Sequence, residues 1–289
     1  MSHNYPQEDL VSACQLCGSS KARIYTKYPE FTWVRCECDL IYKKSTLPEK
    51  DDKGIYGSLY FKAGENKHAH SYDERRRRRI KKSKTQILDA LNYIESGPLL
   101  DVGCSLGYTL HAAEELGLES VGIDIAPFAL EARRKQNYHV KFGSLNEMPF
   151  KDGEFGIITM KHVLEHTSDP RSALHEAHRV LRKGGVLFIA IPNANYYKAA
   201  INPKSSRFYH PDCPGGTEHF IYYTSDTLTR LLEDVGYSIP KVNFHFFHKR
   251  ASTKRKIVEL IVSPFLILGR LILNNLRLKK EFWLVAIRN

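Results

Sequence analysis

The sequence predicts an α/β chain, a doubly wound sheet preceded by a small cysteine-bearing segment, and three features predict it. The run Leu99-Leu100-Asp101-Val102-Gly103-Cys104-Ser105-Leu106-Gly107-Tyr108 is apolar, breaks at glycines and resumes with helical spacing, which makes a strand, a tight turn and a helix entry. A second apolar run ends at Val121-Gly122-Ile123-Asp124, and further runs at 140–142, 155–160 and 186–191 alternate with helical patterns. Four cysteines, Cys14, Cys17, Cys36 and Cys38, stand ahead of these units.

With 289 residues and 42% hydrophobic content, the chain can bury one substantial core and a small appendage. Met1 to Leu10 is mostly polar, and no run of about 18 apolar residues occurs, so the expectation is a cytoplasmic protein that does not span a membrane. The net charge of +11 is concentrated in two places. Arg75 to Arg79, Lys81, Lys82 and Lys84 face Asp73 and Glu74, and ten Lys or Arg between 248 and 289 face Glu259 and Glu281. Such patches suit an anionic surface: nucleic acid, phospholipid or a phosphorylated substrate.

Cys14-Gln15-Leu16-Cys17-Gly18 is a knuckle whose two thiolates turn toward one point, and Cys36-Glu37-Cys38 follows. Four thiolates suit a structural Zn2+, whose closed coordination leaves no catalytic position, and a cytosolic setting disfavours disulfides. The expected organisation is a zinc-ribbon-like segment at 1–50, an aromatic and basic helical lead-in at 51–97, and a nucleotide-binding domain at 98–289. Cys104 and Cys213 fall outside the set as packing or loop residues.

In order, aromatics and glycines at 56–72 lead into a helix whose Ile80, Ile87, Leu88, Leu91 and Ile94 mark one apolar face. At the glycine turn, Gly103 and Gly107 admit a ligand to the backbone, Asp101 adds a charge, and Asp124 about twenty residues on suits ribose hydroxyls. A dinucleotide fingerprint would want Gly-x-Gly-x-x-Gly, which Ser105 and the position of Gly107 do not supply. Gly103-Cys104-Ser105-Leu106-Gly107 also reads as Gly-x-Ser-x-Gly, the elbow of a serine hydrolase using Ser105, although no alternating strands precede it.

A helix over 127–136, a strand at 140–142 and a strand at 155–160 come next. His162, Glu165 and His166 spell His-x-x-Glu-His, a zinc-protease pattern when helical, but here directly after a strand. Asp169-Pro170 starts a helix with Ala173, Leu174, Ala177, Val180 and Leu181 inward, which stops at Lys183-Gly184-Gly185 before the strand 186–191. A long loop at 194–220 carries Tyr196, Arg207, His210 and His219, and Thr224 caps a helix ended by Gly236. The last strands fall near 241–247 and 282–288. Between them, in an insertion at about 249–280, the basic apolar stretch 254–280 suits a membrane interface, a core cover or a dimer contact.

These motifs together resemble class I S-adenosylmethionine-dependent methyltransferases, with a Rossmann-like seven-stranded sheet. Asp101, Gly103 and Gly107 match the acidic-x-Gly-x-Gly-x-Gly motif, with Ser105 at the middle glycine. The resemblance implies that this turn wraps the methionine part of S-adenosyl-L-methionine, that Asp124 binds the ribose, and that Ile125 lies against adenine. Ser144 and Leu145 stand where the family contacts the ring, and Gly156 where it usually has an aspartate. The stretch from Lys161 through Val163-Leu164-Glu165-His166 to Asp169-Pro170 is similar to a segment that borders cofactor and acceptor in the small-molecule branch. The implied reaction is an SN2 methyl transfer to a small-molecule or saccharide acceptor, phosphorylated or lipid-linked in some members. His166 and His219 are the candidate bases. Three readings stay open beside it: an rRNA methyltransferase, a non-catalytic binding protein with the same fold, and the hydrolase. The ribbon's balanced charges disfavour nucleic acid. Peripheral contact with the inner membrane face through 254–280 is a further expectation.

Overall fold

Apolar runs of four to seven residues bounded by glycine and proline become strands stacked side by side, and the amphipathic stretches between them become the helices that cover both faces. The structure, a computed structural model, describes residues 13–28, 31–45, 69–127, 137–196, 219–245 and 280–289, together with 130 and 134. In chain order the elements are β1 (Ala22–Lys27), β2 (Phe31–Cys36), β3 (Ile41–Ser45), α1 (Ala69–Ala90), β4 (Leu99–Val102), α2 (Tyr108–Glu114), β5 (Ser120–Asp124) and β6 (Val140–Phe142). They continue with β7 (Phe155–Lys161), a 3-10 turn (Leu164–His166), α3 (Pro170–Val180), β8 (Leu181–Pro192), β9 (Ile221–Tyr222), α4 (Ser225–Val235), β10 (Tyr237–His245) and β11 (Glu281–Arg288).

The main sheet has the order β10-β11-β8-β7-β4-β5-β6. The five strands from β8 to β6 are parallel, while β11 runs antiparallel to both its neighbours, β8 and β10. The central strands carry no exposed face: β4 and nearly all of β7 are buried, as expected when helices cover both sides of a parallel sheet. The turn after β4 therefore opens at the carboxyl edge in the middle of the sheet, where ligands bind in this architecture.

A second sheet, β1-β2-β3-β9, takes three strands from the cysteine segment and one from residues 221–222. Ile41 pairs with Tyr222 and Tyr42 with Ile221, so the N-terminal segment is stitched into the main body instead of standing apart. The Arg171 guanidinium adds a clasp by donating to the Leu16 carbonyl and the Asp234 carboxylate, both at 3.1 Å.

Several expectations shift. The helix expected to stop at Lys183-Gly184-Gly185 ends at Val180. Leu181 pairs with Phe155, Gly184 takes φ 70°, and the ladder resumes at Val186 after an irregularity in register. Leu88 leaves the apolar face and is 48% exposed, and Ile94 lies beyond the end of α1, while Ile80 and Ile87 are buried as expected. Strand β10 starts at Tyr237, four residues before the expected start. The position of Gly156 is explained by packing: a Cβ there would stand 2.9 Å from Gly97 Cα, and the backbone cannot yield. The helix at 127–136 is described only in part, and the aromatic lead-in before 69, most of the 194–220 loop, Cys213 and 254–279 lie outside the described residues. Among the described residues, no helix is long and apolar enough to cross a membrane.

The loop that follows β6 is fastened by α3. Glu176 accepts from the Met148 N–H at 2.9 Å and from Arg179 at 2.7 Å, and Arg179 also reaches Asp152 and the Phe150 carbonyl. The Arg179 hydrogen bond holds the Glu176 carboxyl below its ordinary value. A carboxyl depressed in the folded state stabilises above its unfolded pKa, near 4.3, and loses that contribution as pH falls through the folded value. Glu176→Gln should therefore cost about 1–3 kcal/mol at pH 7 by denaturant unfolding. The gap from the unsubstituted protein should narrow as pH falls below the ordinary carboxyl range, and a gap that does not change with pH would contradict the assignment.

Candidate cofactor and acceptor site

The turn after β4 is held by the end of β5. Asp124 Oδ2 accepts the Ser105 N–H at 2.8 Å and Oδ1 accepts the Ala126 N–H at 2.9 Å, while the Ile123 carbonyl accepts from Gly103 and Cys104. Gly103, Ser105 and Gly107 have φ of 69°, 42° and 69°, so the turn needs left-handed backbone at three places and tolerates a serine at one. At Gly103 a Cβ would come within 2.7 Å of Val163 Cγ2. Cys104 is buried and packs over Gly122, where a Cβ would meet its Sγ at 2.7 Å, which makes it the packing residue expected.

A cavity of about 1610 Å³ opens above this turn. Asp101, Gly103, Ser105, Asp124 and Ile125 line it, as do Ser144, Leu145, Lys161 and His166. Nine of the predicted site residues are thus brought together by the fold. Gly107 stands one step behind, as the left-handed N-cap of α2. The volume exceeds the 300–1000 Å³ usual for a single small ligand, so two ligands fit side by side.

Beneath the turn, Asp101 accepts from Thr159 Oγ1 at 2.5 Å, and the Lys161 ammonium donates to Ser83 Oγ at 2.8 Å and to Thr109 Oγ1. Burial pushes the Asp101 carboxyl up and the Lys161 ammonium down, and their mutual attraction opposes both shifts. Burial also holds the Asp124 carboxyl above its ordinary value, against the backbone N–H groups that favour its charged form.

On the opposite wall, His162 has φ 56° and the residues after it form a 3-10 turn, so His162 and His166 do not share a helix face and the protease reading falls. His162 sits between Glu165 at 3.3 Å and Glu281 at 3.4 Å, and Glu281 pairs with Lys82 at 2.6 Å. Although burial opposes it, the two carboxylates push the His162 pKa up to about 9. His166 reaches the cavity, whereas His219 stands behind it, edge-on with ring centroids 4.7 Å apart and its Nε2 3.9 Å from Glu165. Burial pushes His219 down to about 3, which keeps it neutral. Glu165, His166 and His219 each bring a ligand atom within 4.8 Å of the others, a set that could also hold a divalent cation.

The four N-terminal thiols also converge. Cys14 and Cys38 sulfurs lie 3.5 Å apart, as do those of Cys17 and Cys36, and all four fall within 4.8 Å of one another. A tetrahedron with metal–sulfur bonds near 2.3 Å has edges of about 3.8 Å, close to the two sulfur–sulfur distances of 3.5 Å, so the set is of a kind that could hold a metal ion. The same segment packs behind Phe220, which lines the cavity. Phe220 donates its N–H to the Glu165 carbonyl and accepts from Lys43, whose ammonium sits over the Phe31, Trp33 and Phe220 rings.

Comparison with known proteins fixes the class of this arrangement. A family model described as a methyltransferase domain matches residues 72–242, more than half of the chain. The chain belongs to that family. The assignment removes the serine hydrolase reading, and Ser105 is accounted for as the residue that ties the methyltransferase turn to Asp124. A ubiquinone biosynthesis O-methyltransferase from Hydrogenovibrio crunogenus is 29% identical over 126 residues, covering 41% of this chain and 52% of its own. A malonyl-[acyl-carrier protein] O-methyltransferase from Serratia marcescens is 33% identical over 94 residues, covering 32% of this chain and 37% of its own. The chain thus spans about half the length, or less, of these relatives. Among solved structures, a SAM-dependent methyltransferase from Archaeoglobus fulgidus superposes with a TM-score of 0.52 at 19% identity, covering 72% of this chain and 94% of that one, which shows the shared fold.

Sequence reasoning missed the α1 wall. Arg78, Arg79, Lys82, Ser83 and Gln86 line the cavity; the sequence marked the cations of this helix as a patch for an anionic surface but named none of these five as a site residue. It also missed Glu281, which no motif marks. Two substitutions test the cofactor end. Asp124→Ala, which removes both backbone clamps and the ribose partner, should weaken S-adenosylmethionine binding at least about tenfold in calorimetry. Gly103→Ala should do the same through the clash with Val163, and unchanged affinity in both would remove the assignment.

Proposed function

We propose that the protein is an S-adenosylmethionine-dependent methyltransferase that acts on a small-molecule or saccharide acceptor. The observation that carries this reading is the single cavity in which the Asp124-held turn faces His166. The residues present fit the cofactor: Gly103 leaves open the space a Cβ would fill, and Asp124 keeps lone pairs free for two hydroxyls. Ile125, Ser144 and Leu145 would take the adenine. When bound, S-adenosylmethionine supplies a sulfonium methyl group that an acceptor atom displaces in line, leaving the electron pair on sulfur as a neutral thioether.

The chain's own contribution is alignment, exclusion of water and removal of one proton. His166 takes the acceptor's proton, because it reaches the cavity and His219 does not. His219, neutral and buried, orients His166 from behind, and Glu165 holds His162 as a cation on the same wall. Both relatives named above are O-methyltransferases, which favours an oxygen acceptor here. Zinc at the four thiols would be structural, keeping β3 and β9 paired beside the acceptor. A cytoplasmic location, with 254–280 touching the inner membrane face, completes the reading.

Calorimetry with S-adenosylmethionine is the primary test, and absence of binding would leave only the non-catalytic alternative. With labelled cofactor and fractionated extract, label should enter small metabolites or saccharides, whereas label in RNA would favour the rRNA alternative. On an acceptor found in this way, His166→Gln should lower kcat by about 10²-fold or more with cofactor affinity within about twofold, and an unchanged kcat would exclude it as the base. Metal analysis should find one zinc per chain, lost in Cys17→Ser together with part of the thermal stability, and a zinc-free native protein would overturn the ribbon.

A further inference from the structure

The lining of the cavity divides by element into two groups, or arms, with Gly103, Lys161 and His162 also among the lining residues. One arm runs past Asp124 and Ile125 to Ser144 and Leu145, and is the cofactor arm of the proposal above. The other follows α1, where lining residues run from Arg78 to Asp89, with Asn92 just past the helix end. Eleven steps of helix rise about 16 Å, so this wall is a long one. Trp283 and Ala190 from the sheet, with His162 and His166, face it.

The charges of the two arms are opposite in sign. Asp101 and Asp124 lie at the cofactor arm, which suits a cationic sulfonium. Arg78, Arg79, Lys81 and Lys82 lie at the other, with Asp89 as its carboxylate. Lys82 is bonded to Glu281, but His162 is pressed against the same carboxylate, and Arg79 stands over the Tyr108 ring. Arg78 and Lys81 are exposed to the cavity mouth and have no ion pair among the described residues. A second observation is independent of charge. Gln86, one turn beyond Lys82, is 3% exposed and lines this arm, yet neither its Oε1 nor its Nε2 has a hydrogen-bond partner among the described residues. A buried amide that is both an unpaired donor and an unpaired acceptor is costly by itself, and a ligand hydroxyl or amide would satisfy both atoms.

We propose that the α1 arm is the acceptor subsite, and that the acceptor carries a cluster of anionic oxygens, phosphate or carboxylate, held by Arg78, Lys81 and Lys82 while Gln86 bonds a neighbouring polar group. The proposal rests on the other arm holding the cofactor. It separates this row of cations from the methionine carboxylate, which would compete for it.

The experiment titrates inorganic pyrophosphate, and separately succinate, into the full chain saturated with S-adenosylhomocysteine, and into the chain alone. At least one anion should bind the loaded protein saturably, and at least tenfold more weakly in the Arg78→Ala/Lys81→Ala double variant, whose S-adenosylhomocysteine affinity should stay within twofold. Pyrophosphate alone binding identifies a phosphorylated acceptor, and succinate alone a carboxylate. The proposal is overturned if neither anion binds, if the double variant binds as well as the unsubstituted protein, or if the anion competes with S-adenosylhomocysteine. Failure of S-adenosylhomocysteine itself to bind would sink the cofactor reading, while the titration of the chain alone still judges the cation row. Gln86→Leu should leave Tm equal or higher, since no protein partner is lost, and a lower Tm would show a structural role instead.

Discussion

The site depends on one carboxylate. Asp124 ends β5 with both oxygens turned back onto backbone N–H groups, one of them in the turn that follows the neighbouring strand. Three left-handed residues in five would leave that turn with many conformations if nothing restrained it. The charge-assisted bond to Ser105 selects one of them, and it fixes where α2 begins. It also explains why a serine is tolerated at the middle position: the turn is specified by its N–H, and a short polar residue reaches φ 42° at modest cost. A ligand that bonds Asp124 therefore also bears on the shape of the turn that surrounds it.

The parts of this fold that were legible in the sequence are those where local pattern and tertiary role agree. Val102 to Gly107, Asp124 and the Thr224-to-Gly236 helix are read directly, because each is set by glycine, a cap or a short apolar run. The rest fails for identifiable reasons. Leu88 follows the apolar period of its helix, yet the helix turns that edge toward a cavity instead of the core. Lys183-Gly184-Gly185 has the composition of a helix stop, but Leu181 pairs with Phe155 two residues earlier and the glycines become a strand irregularity. The division between His166 and His219 depends on how a distant loop folds back on the 3-10 turn, which no spacing reveals.

Strand β9 has the least sequence signal and a large structural role. Two residues, Ile221 and Tyr222, join the cysteine segment to the body of the protein, and the residue before them bonds the backbone of Glu165. Tyr222 lies between Trp33 of the ribbon and His219, at ring distances of 4.9 and 5.1 Å. The cysteine segment thus buttresses the residues behind His166 without lining the cavity itself.

The placement of charge completes the picture. A cationic cofactor and the anionic acceptor proposed above would be sorted to their own seats by charge only if the protein offers each the opposite sign. Asp101 and Asp124 beside the turn and the cations of α1 line one cavity, which would give the two reactants seats of opposite sign. At their junction, the Lys161 ammonium is tied to Ser83 of α1 and to Thr109 of α2, so the helix that carries the cations is bonded to the floor of the cofactor turn. Glu281 repeats the arrangement at the other wall, joining Lys82 of α1 to His162 beside the 3-10 turn. Alignment of a methyl group with its acceptor would require the two seats to hold their separation, and these two links tie α1 to both walls.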